Sequence, residues 1–189
     1  MTNQCFFLEG LPGTGKTTLS NELRKDILSV DEILTPEKLA QYHNTKNQSY
    51  FLSNDENKIR FALESDKSCF IDRGPLSTLL FNLCKCIVDE KHDPTEVVSW
   101  YKNTITPLIF NGEKKFKFIV IDIPPDISLS RKSRSINQND PWADPISLGL
   151  IREMYVAFAK KHSDVSLLID GSQSVEDILE KIKRYVQHI

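Results

Sequence analysis

Five short apolar runs recur along the chain, and each ends at acidic, proline or glycine residues. The runs are apolar throughout rather than at alternate positions, which is typical of strands that are covered on both faces of a parallel sheet. We therefore predict strands at residues 4–8, 27–30, 68–71, 116–122 and 165–169.

Between these runs, apolar residues return at helical spacing. Leu19, Leu23 and Ile27 predict a helix over residues 16–27, and a stripe that includes Leu148, Ile151, Tyr155 and Phe158 predicts one over residues 145–161. Further helices are expected at residues 36–65 (in two pieces, with a break around 44–49), 76–90, 94 onward, 125–134 and 174 onward.

Two of these helix starts carry specific capping signals. Asp93 can act as the cap, with Pro94 in the first helical position, where its missing N–H costs nothing. Ser174 and Asp177 are spaced as in a capping box, with aspartate in place of glutamate or glutamine. Strands that alternate with helices, without a repeat or a linker, predict a single α/β domain with a parallel sheet over residues 1–189.

Composition narrows the class of protein. A chain of 189 residues with 40% hydrophobic and 26% charged residues is typical of one soluble globular domain. The formal net charge of −2 provides no field that would draw the protein to nucleic acid or to an anionic membrane. No apolar run approaches the roughly 20 residues of a membrane helix, and the first residues lack the basic region of a signal peptide. We expect a cytoplasmic protein.

The cysteines and histidines form no recognisable site. Cys5 and Cys69 lie in apolar runs, where a free thiol behaves as a small hydrophobic group. Cys84 and Cys86 lack the second cysteine pair or histidines of a zinc site. We predict four reduced cysteines, and four histidines that are scattered among polar neighbours.

The most specific motif is a glycine-rich loop at residues 10–17, which fits Gly-x-x-x-x-Gly-Lys-[Ser/Thr] between a strand and a helix. Its glycines let successive backbone N–H groups cradle phosphate oxygens, and the helix that follows adds its positive end. Lys16 reaches the β- and γ-phosphates and Thr17 ligates Mg²⁺ in such loops. The alternative, a chance glycine-rich turn, is disfavoured by this context. We predict that ATP binds through Gly10, Gly13, Thr14, Gly15, Lys16, Thr17 and Thr18.

Four segments, taken in order, resemble the thymidylate kinase and deoxynucleoside kinase superfamily. They are residues 6–17, Ile71-Asp72-Arg73, the arginines of Arg131-Lys-Ser-Arg134 after residues 123–126, and residues 169–177. The resemblance implies a P-loop NTPase-type three-layer fold, with about five parallel strands flanked by helices. It also implies an arginine-bearing lid at approximately residues 131–145, and allows a homodimer through a pair of helices.

The resemblance also implies roles for individual residues. Asp72 would assist Mg²⁺ or the acceptor hydroxyl, and Arg73 would hold phosphates near the point of transfer. Arg131 and Arg134 would close over the γ-phosphoryl group, and Asp170 with Gly171 would hold the adenine. The alternative for Asp72 and Arg73 is a surface ion pair at a strand end, and for the two lid arginines it is a solvated helix face.

Two departures from the family pattern bear on the acceptor. Thymidylate kinases carry an acid where this chain has Pro12, and an arginine where it has Asp31 and Glu32. An acidic group suits general-base work on a neutral hydroxyl and repels an acceptor that already carries phosphate. We hypothesise a nucleoside or other neutral acceptor with Glu32 or Asp31 as base. A solvent-facing acid pair is an equal alternative.

The segment at residues 42–64 leaves further alternatives open. Its aromatic residues and Asn54 could surround a base, whereas Phe51, Leu52, Ile59, Phe61 and Leu63 could equally be core residues. Arg60 could bind an acceptor phosphate, which keeps nucleoside monophosphates as candidates. Trp142 could lie beside the lid, but an ordinary packed tryptophan is the favoured interpretation. Tyr42, Tyr50 and Lys58 belong to the same segment as Asn54.

These patterns predict a kinase that uses ATP and Mg²⁺ to phosphorylate a nucleoside or a nucleoside monophosphate. A P-loop kinase of a sugar or an antibiotic is the alternative enzyme, since a fold does not determine a function. A nucleotide-switched binding protein is the alternative from another class. It is disfavoured because a switch needs neither lid arginines nor Asp72-Arg73.

Overall fold

The computed structural model of the protein describes residues 4–24, 27–31, 48–89, 91–110, 115–132 and 141–187. Expectations for residues 32–47 and 133–140, including Glu32, Tyr42 and Arg134, lie outside the described residues. In the described part of the chain, no helix combines the length and the apolar character needed to cross a membrane.

A parallel sheet of five strands forms the centre of the fold, as predicted. The strands are β1 (Gln4–Glu9), β2 (Leu28–Val30), β3 (Cys69–Asp72), β4 (Lys115–Asp122) and β5 (Ser166–Asp170). Their order across the sheet is β2-β3-β1-β4-β5, so the first strand of the chain lies in the middle. All neighbouring pairs are parallel, which brings the carboxyl ends of the strands to one edge.

Helices connect the strands. They are α1 (Lys16–Leu23), α2 (Gln48–Glu64), α3 (Pro75–Val88), α4 (Thr95–Trp100), a π-helical turn (Tyr101–Ile105), α5 (Thr106–Phe110), α6 (Pro125–Lys132), a 3₁₀ turn (Pro141–Ala143), α7 (Pro145–Lys161) and α8 (Val175–Gln187). The bounds of α7 agree with its apolar stripe. Ser174 begins α8, because its hydroxyl accepts from the Asp177 amide at 3.1 Å and donates to the Asp177 carboxylate at 2.7 Å.

Apolar residues fill both faces of the sheet, which explains why the strand sequences are apolar throughout. On β1, Phe6 belongs to one buried cluster, with Leu19 of α1, and Phe7 belongs to the other. The Phe7 ring stacks on Phe116 of β4, with ring centroids 5.3 Å apart. Complete burial of a large apolar side chain stabilises a fold by roughly 1.5–3 kcal/mol. The central strand is therefore fixed from both sides.

Two local expectations need correction, and one open alternative is decided. Helix α1 ends at Leu23 rather than at Ile27, because the chain must turn into β2 at Leu28. Pro94 is the N-cap residue of α4 rather than its first helical residue, and Asp93 accepts a bond of 2.9 Å from the Thr95 amide. Phe61, one of the residues left open as a core candidate, lies on the outer face of α2 and is exposed.

The four cysteines are free, as predicted. Cys5 and Cys69 are paired across β1 and β3, with their sulfur atoms 2.6 Å apart in the fully buried core. Cys84 is also buried, and its thiol donates to the Ser147 carbonyl at 3.5 Å.

Candidate active site

The glycine-rich loop joins the carboxyl end of β1 to α1. Gly10 adopts φ +134°, and a Cβ there would lie 2.4 Å from the Ile121 carbonyl oxygen, so position 10 requires glycine. The buried Lys16 ammonium donates to the Gly10 carbonyl at 3.0 Å, the Leu11 carbonyl at 2.7 Å and the Thr14 hydroxyl at 2.9 Å. The loop is therefore wrapped around the lysine that the motif singled out.

Thr17 and Asp72 are brought together at the same edge of the sheet. The Thr17 hydroxyl donates to Oδ2 of Asp72 at 3.0 Å. Asp72 is buried, and its Oδ1 has no hydrogen-bond partner among the described residues. Hydroxyl and carboxylate oxygens are ligands that Mg²⁺ prefers, and this cation is usually held by one or two protein carboxylates with substrate phosphates. In the described ranges, no cluster of three or more His, Cys, Asp or Glu residues forms a closed metal site.

Arg73 follows Asp72 in an uncommon backbone conformation, with φ +55°. Its amide donates to the Leu8 carbonyl at 3.1 Å, and its Nη1 donates to the Gly10 carbonyl at 3.4 Å. The guanidinium carbon lies 5.3 Å from the centre of the Trp142 ring, which is within cation–π range. Trp142 in turn packs on Phe81, with ring centroids 5.1 Å apart. The arginine is thus directed toward the phosphate loop, and Trp142 is packed as expected.

Helix α6 contacts the other side of the loop. The Ser128 hydroxyl is buried and donates to the Pro12 carbonyl at 2.7 Å. Nη1 of Arg131 donates to the Gly13 carbonyl at 3.1 Å. A Cβ on Gly13 would lie 3.1 Å from Cβ of Arg131, so helix and loop are in close contact. Arg131 therefore lies beside the loop, at the start of the segment predicted as a lid.

Asp170 and Gly171 lie at the end of β5. The Gly171 amide donates to the Asp122 carbonyl at 2.7 Å, which fixes the turn against β4. Hydrogen bonds from the Ser172 hydroxyl and amide, at 2.6 and 2.9 Å, hold the pKa of the Asp170 carboxyl below its usual value. Thr18, at the start of α1, is exposed.

A bidentate ion pair, which the sequence did not reveal, lies on the same edge of the sheet. Arg152 of α7 donates from Nε and Nη2 to the two carboxylate oxygens of Asp122, at 2.6 and 2.8 Å. The hydrogen bonds raise the pKa of Arg152. The pair fastens α7 to the carboxyl end of β4.

Asp31, one of the candidate bases, has different surroundings from Asp72. Asp31 follows β2, and its exposed carboxylate forms an ion pair with Arg24 at the end of α1. Arg60, a candidate for binding an acceptor phosphate, lies on the exposed face of α2, and Asn54 is buried on the same helix. The two candidate bases therefore differ in environment. Asp31 is exposed to solvent, whereas Asp72 is buried.

Helix α2 carries a buried ion pair next to Arg73. The Lys58 ammonium lies 2.8 Å from Oδ1 of Asp55 and donates to the Arg73 carbonyl at 2.9 Å. Oδ2 of Asp55 accepts from the Thr78 hydroxyl at 2.6 Å. These bonds satisfy both charges, which burial would otherwise make costly. They connect α2 to the Arg73 turn and to α3.

Glu9 is the functional candidate that the sequence pattern did not single out. It is fully buried at the end of β1, directly before Gly10. Burial raises the pKa of its carboxyl to about 7, partly opposed by the hydrogen bond from Ser77 and by the positive charge of Arg73. The pKa of Tyr155, which contacts Glu9, is also raised by burial and by the charge of Glu9.

Comparison with known proteins gives similarities in sequence and in fold. No protein-family model matches the chain. Over 107 residues it is 32% identical to a thymidylate kinase from Chlamydia caviae, a match that covers 51% of this chain and 52% of that protein. The match thus spans about half the length of the relative.

The fold is similar to solved structures of deoxyadenosine kinase from M. mycoides. One, with dCMP and a flexible dCDP bound as products, has a TM-score of 0.74 at 18% identity and covers 98% of this chain and 100% of the other. Two others, with bound dATP and dCTP, have TM-scores of 0.73 at 18% and 19% identity, and cover 97% and 98% of this chain and 100% of theirs. The chain is therefore a P-loop protein that resembles thymidylate kinase in sequence and has the fold of the deoxynucleoside kinases.

Proposed function

We propose that the protein is an ATP- and Mg²⁺-dependent kinase that phosphorylates a nucleoside or a nucleoside monophosphate. One observation carries this proposal. The phosphate loop, the Thr17–Asp72 hydrogen bond of 3.0 Å and Arg73 meet at one edge of the sheet. Ligands in open parallel sheets bind at the carboxyl ends of the strands. The similarity to thymidylate kinase and deoxyadenosine kinase supports the same reaction class.

The donor side follows from the loop. Its backbone amides and the α1 terminus suit the phosphates of ATP, and Lys16 is held within the loop that would receive them. In the reaction, the acceptor oxygen forms a bond to the γ-phosphorus, the bond between that phosphorus and the β,γ-bridging oxygen breaks, and ADP leaves. Lys16, Arg73 and Arg131 would stabilise the charge on the transferring group, which is the main protein contribution in phosphoryl transfer.

The residues present fit a magnesium site. Thr17 and Asp72 would hold the cation, since Oδ1 of the buried Asp72 carboxylate is without a partner among the described residues. When bound, Mg²⁺ neutralises phosphate charge. The chain's own groups orient the acceptor. If the acceptor is a nucleoside, the proton of its hydroxyl passes to a carboxylate, for which Asp72, Asp31 and Glu32 are the candidates, whereas a monophosphate attacks through an ionised phosphate oxygen.

The chemical class of the acceptor is supported by fewer observations than the choice of ATP as donor. The similarity to a thymidylate kinase favours a monophosphate, whereas Pro12 and the acid at position 31 favour a neutral hydroxyl. The M. mycoides enzyme is named for deoxyadenosine, a neutral acceptor, and shares the whole fold. Deoxynucleosides are therefore our first choice. Adenine contacts by Asp170 and Gly171, a lid that includes Arg134, a homodimer and a cytoplasmic location remain predictions.

The proposal is tested by measuring ADP formation from ATP and Mg²⁺ with a panel of deoxynucleosides, deoxynucleoside monophosphates, sugars and hydroxylated antibiotics. We expect turnover with at least one nucleoside or nucleotide. Lys16→Ala should lower it by about 100-fold or more, with an unchanged circular dichroism spectrum. Lys160→Ala, which removes an exposed cation at the end of α7, is the matched control. Near-normal turnover by Lys16→Ala contradicts the proposal, and ATP binding without any transfer favours a nucleotide switch.

A further inference from the structure

The Glu9 carboxylate lies at a junction between the phosphate loop and the Arg73 turn. Oε1 accepts from the Gly74 amide at 3.1 Å, and Oε2 accepts from the Ser77 hydroxyl and from the Tyr155 hydroxyl, the latter at 3.3 Å. The Ser77 and Tyr155 hydroxyl oxygens also lie 2.6 Å from each other. A single buried carboxylate therefore contacts the turn after β3, the first turn of α3 and the middle of α7.

Hydrogen bonds from neighbouring residues hold the backbone groups of the turn at Arg73. A non-glycine residue at φ +55° costs energy and persists only where the surroundings enforce the conformation. The Arg73 amide is bound by Leu8, its carbonyl by Lys58, and the next amide, that of Gly74, by Glu9. Leu8 and Glu9 are the last residues before the phosphate loop, so the turn and the loop are fastened to the same piece of β1.

We propose that Glu9 is a positioning residue, whose carboxylate fixes the Gly74 amide and so holds the Arg73 guanidinium toward the phosphate loop. This inference rests on the proposed kinase function. A purely structural role would need only a well-packed core, and an apolar side chain of the same volume would serve it as well. A hydrogen-bond acceptor at position 9 is required only if the Gly74 amide, and with it the Arg73 turn, must be held in place.

The charges around Glu9 are consistent with this role. Burial raises the pKa of the Glu9 carboxyl, the nearby charges of Arg73 and Lys58 lower it, and the charge of Asp55 raises it. Burial raises the pKa of the Tyr155 phenol on α7 and of the Tyr101 phenol on the π-helical turn, and the charge of Glu9 raises both further. The carboxylate and the Arg73 guanidinium thus interact through space as well as through the Gly74 amide.

The test compares Glu9→Met, which keeps the volume and removes the acceptor, with Glu9→Gln, which keeps an acceptor oxygen. We expect Glu9→Met to lower kcat by about 100-fold, the loss typical of a misplaced catalytic group, while the KM for ATP changes little. Glu9→Gln should restore most of the activity. Glu96→Gln, an exposed residue in the first turn of α4, is the control for loss of charge.

The deciding measurement is a double-variant cycle with Arg73→Ala, followed with radiolabelled ATP. If Glu9 acts through Arg73, Glu9→Met should change the kcat of Arg73→Ala by less than about twofold, because effects transmitted through one residue are not additive. An equal loss of kcat in both backgrounds overturns the proposal. If Glu9→Met does not fold, Glu9→Asp takes its place, since it keeps the charge but is too short to reach the Gly74 amide.

Failure of the kinase function would be recognised separately, because the wild-type protein would then phosphorylate no acceptor. In that case the double-variant cycle is measured by the fluorescence of Trp142. The centre of its ring lies 5.3 Å from the guanidinium carbon of Arg73. A Trp100→Phe background removes the other tryptophan. Glu9→Met should shift the Trp142 emission in this background but not when Arg73→Ala is also present. A shift of equal size in both backgrounds overturns the positioning role whatever the reaction.

Discussion

Replacement of Gly74 by alanine would place a methyl group against the ring of Phe7. The new Cβ would lie 2.4 Å from Cδ1 and 2.9 Å from Cγ of that ring, whereas carbon atoms in contact are about 3.5–4.0 Å apart. The Gly74 backbone is extended, with φ −131°, so alanine adds no backbone strain and the effect is steric. Phe7 is fully buried, and its ring packs against those of Phe116 and Phe118.

Overpacking of this kind costs about 1–3 kcal/mol. For a chain of this length we expect Gly74→Ala to lower the Tm by about 2–12 °C. The assay is thermal unfolding followed by circular dichroism, with urea unfolding at 25 °C to obtain the free energy. Adding Phe7→Leu should relieve the clash, so that the double variant loses less stability than the sum of the two single variants.

Gly149 provides the matched control. It lies inside α7, and a Cβ there would meet no atom within 4 Å. Gly149→Ala should therefore raise stability by about 0.8–1 kcal/mol, the helix preference of alanine over glycine. A Gly74→Ala protein as stable as the wild type, or one that Phe7→Leu does not relieve, would refute the steric reasoning.

Other predictions follow from the same contacts. Because the pKa of Glu9 is raised from 4.5 to about 7, the fold favours the neutral carboxyl, a stabilisation that is complete below pH 4.5 and lost as the pH rises through 7. Urea unfolding at pH 5 and pH 8 should show the wild type losing about 2–3 kcal/mol relative to Glu9→Gln, and parallel pH curves would exclude this. Asp144 caps α7 by accepting from the Ser147 amide at 2.7 Å, so Asp144→Ala should cost about 1 kcal/mol in thermal unfolding. Thr17→Ala should raise the Mg²⁺ concentration for half-maximal activity by about tenfold or more, and an unchanged Mg²⁺ titration would remove Thr17 from the site.

The sequence predicted the strands to within one residue at each end, because burial on both faces leaves a continuous apolar run whatever the rest of the fold does. The phosphate loop was equally recognisable, because Gly10, Gly13 and Gly15 adopt positive φ angles that favour glycine at these positions. Helix α1 was predicted too long because Ile27 continues the apolar spacing, although the chain must already turn toward β2. The sequence pattern thus predicts elements whose formation depends on neighbouring residues, but not the point at which the fold ends a helix.

Glu9 shows what local patterns cannot predict. In the sequence it reads as the polar end of an apolar run, yet it is fully buried. The groups that make its burial possible, on Gly74, Ser77 and Tyr155, are 65, 68 and 146 residues away along the chain. Only the order of strands in the sheet brings them together. The ion pair of Arg152 with Asp122 was missed for the same reason.

The central place of β1 in the sheet also has a consequence for how the protein folds. Cys5 pairs with Cys69 on one side and with Phe116 on the other, so β1 completes its pairing only with strands that lie 64 and 111 residues further along the chain. Contacts so distant in sequence make folding slow. Until they form, an apolar strand with two unpaired edges is exposed to association with other chains. We expect synthesis in the cell to depend on protection of β1 until both neighbours are available, so that the strand that leads into the phosphate loop is also the one most vulnerable to aggregation.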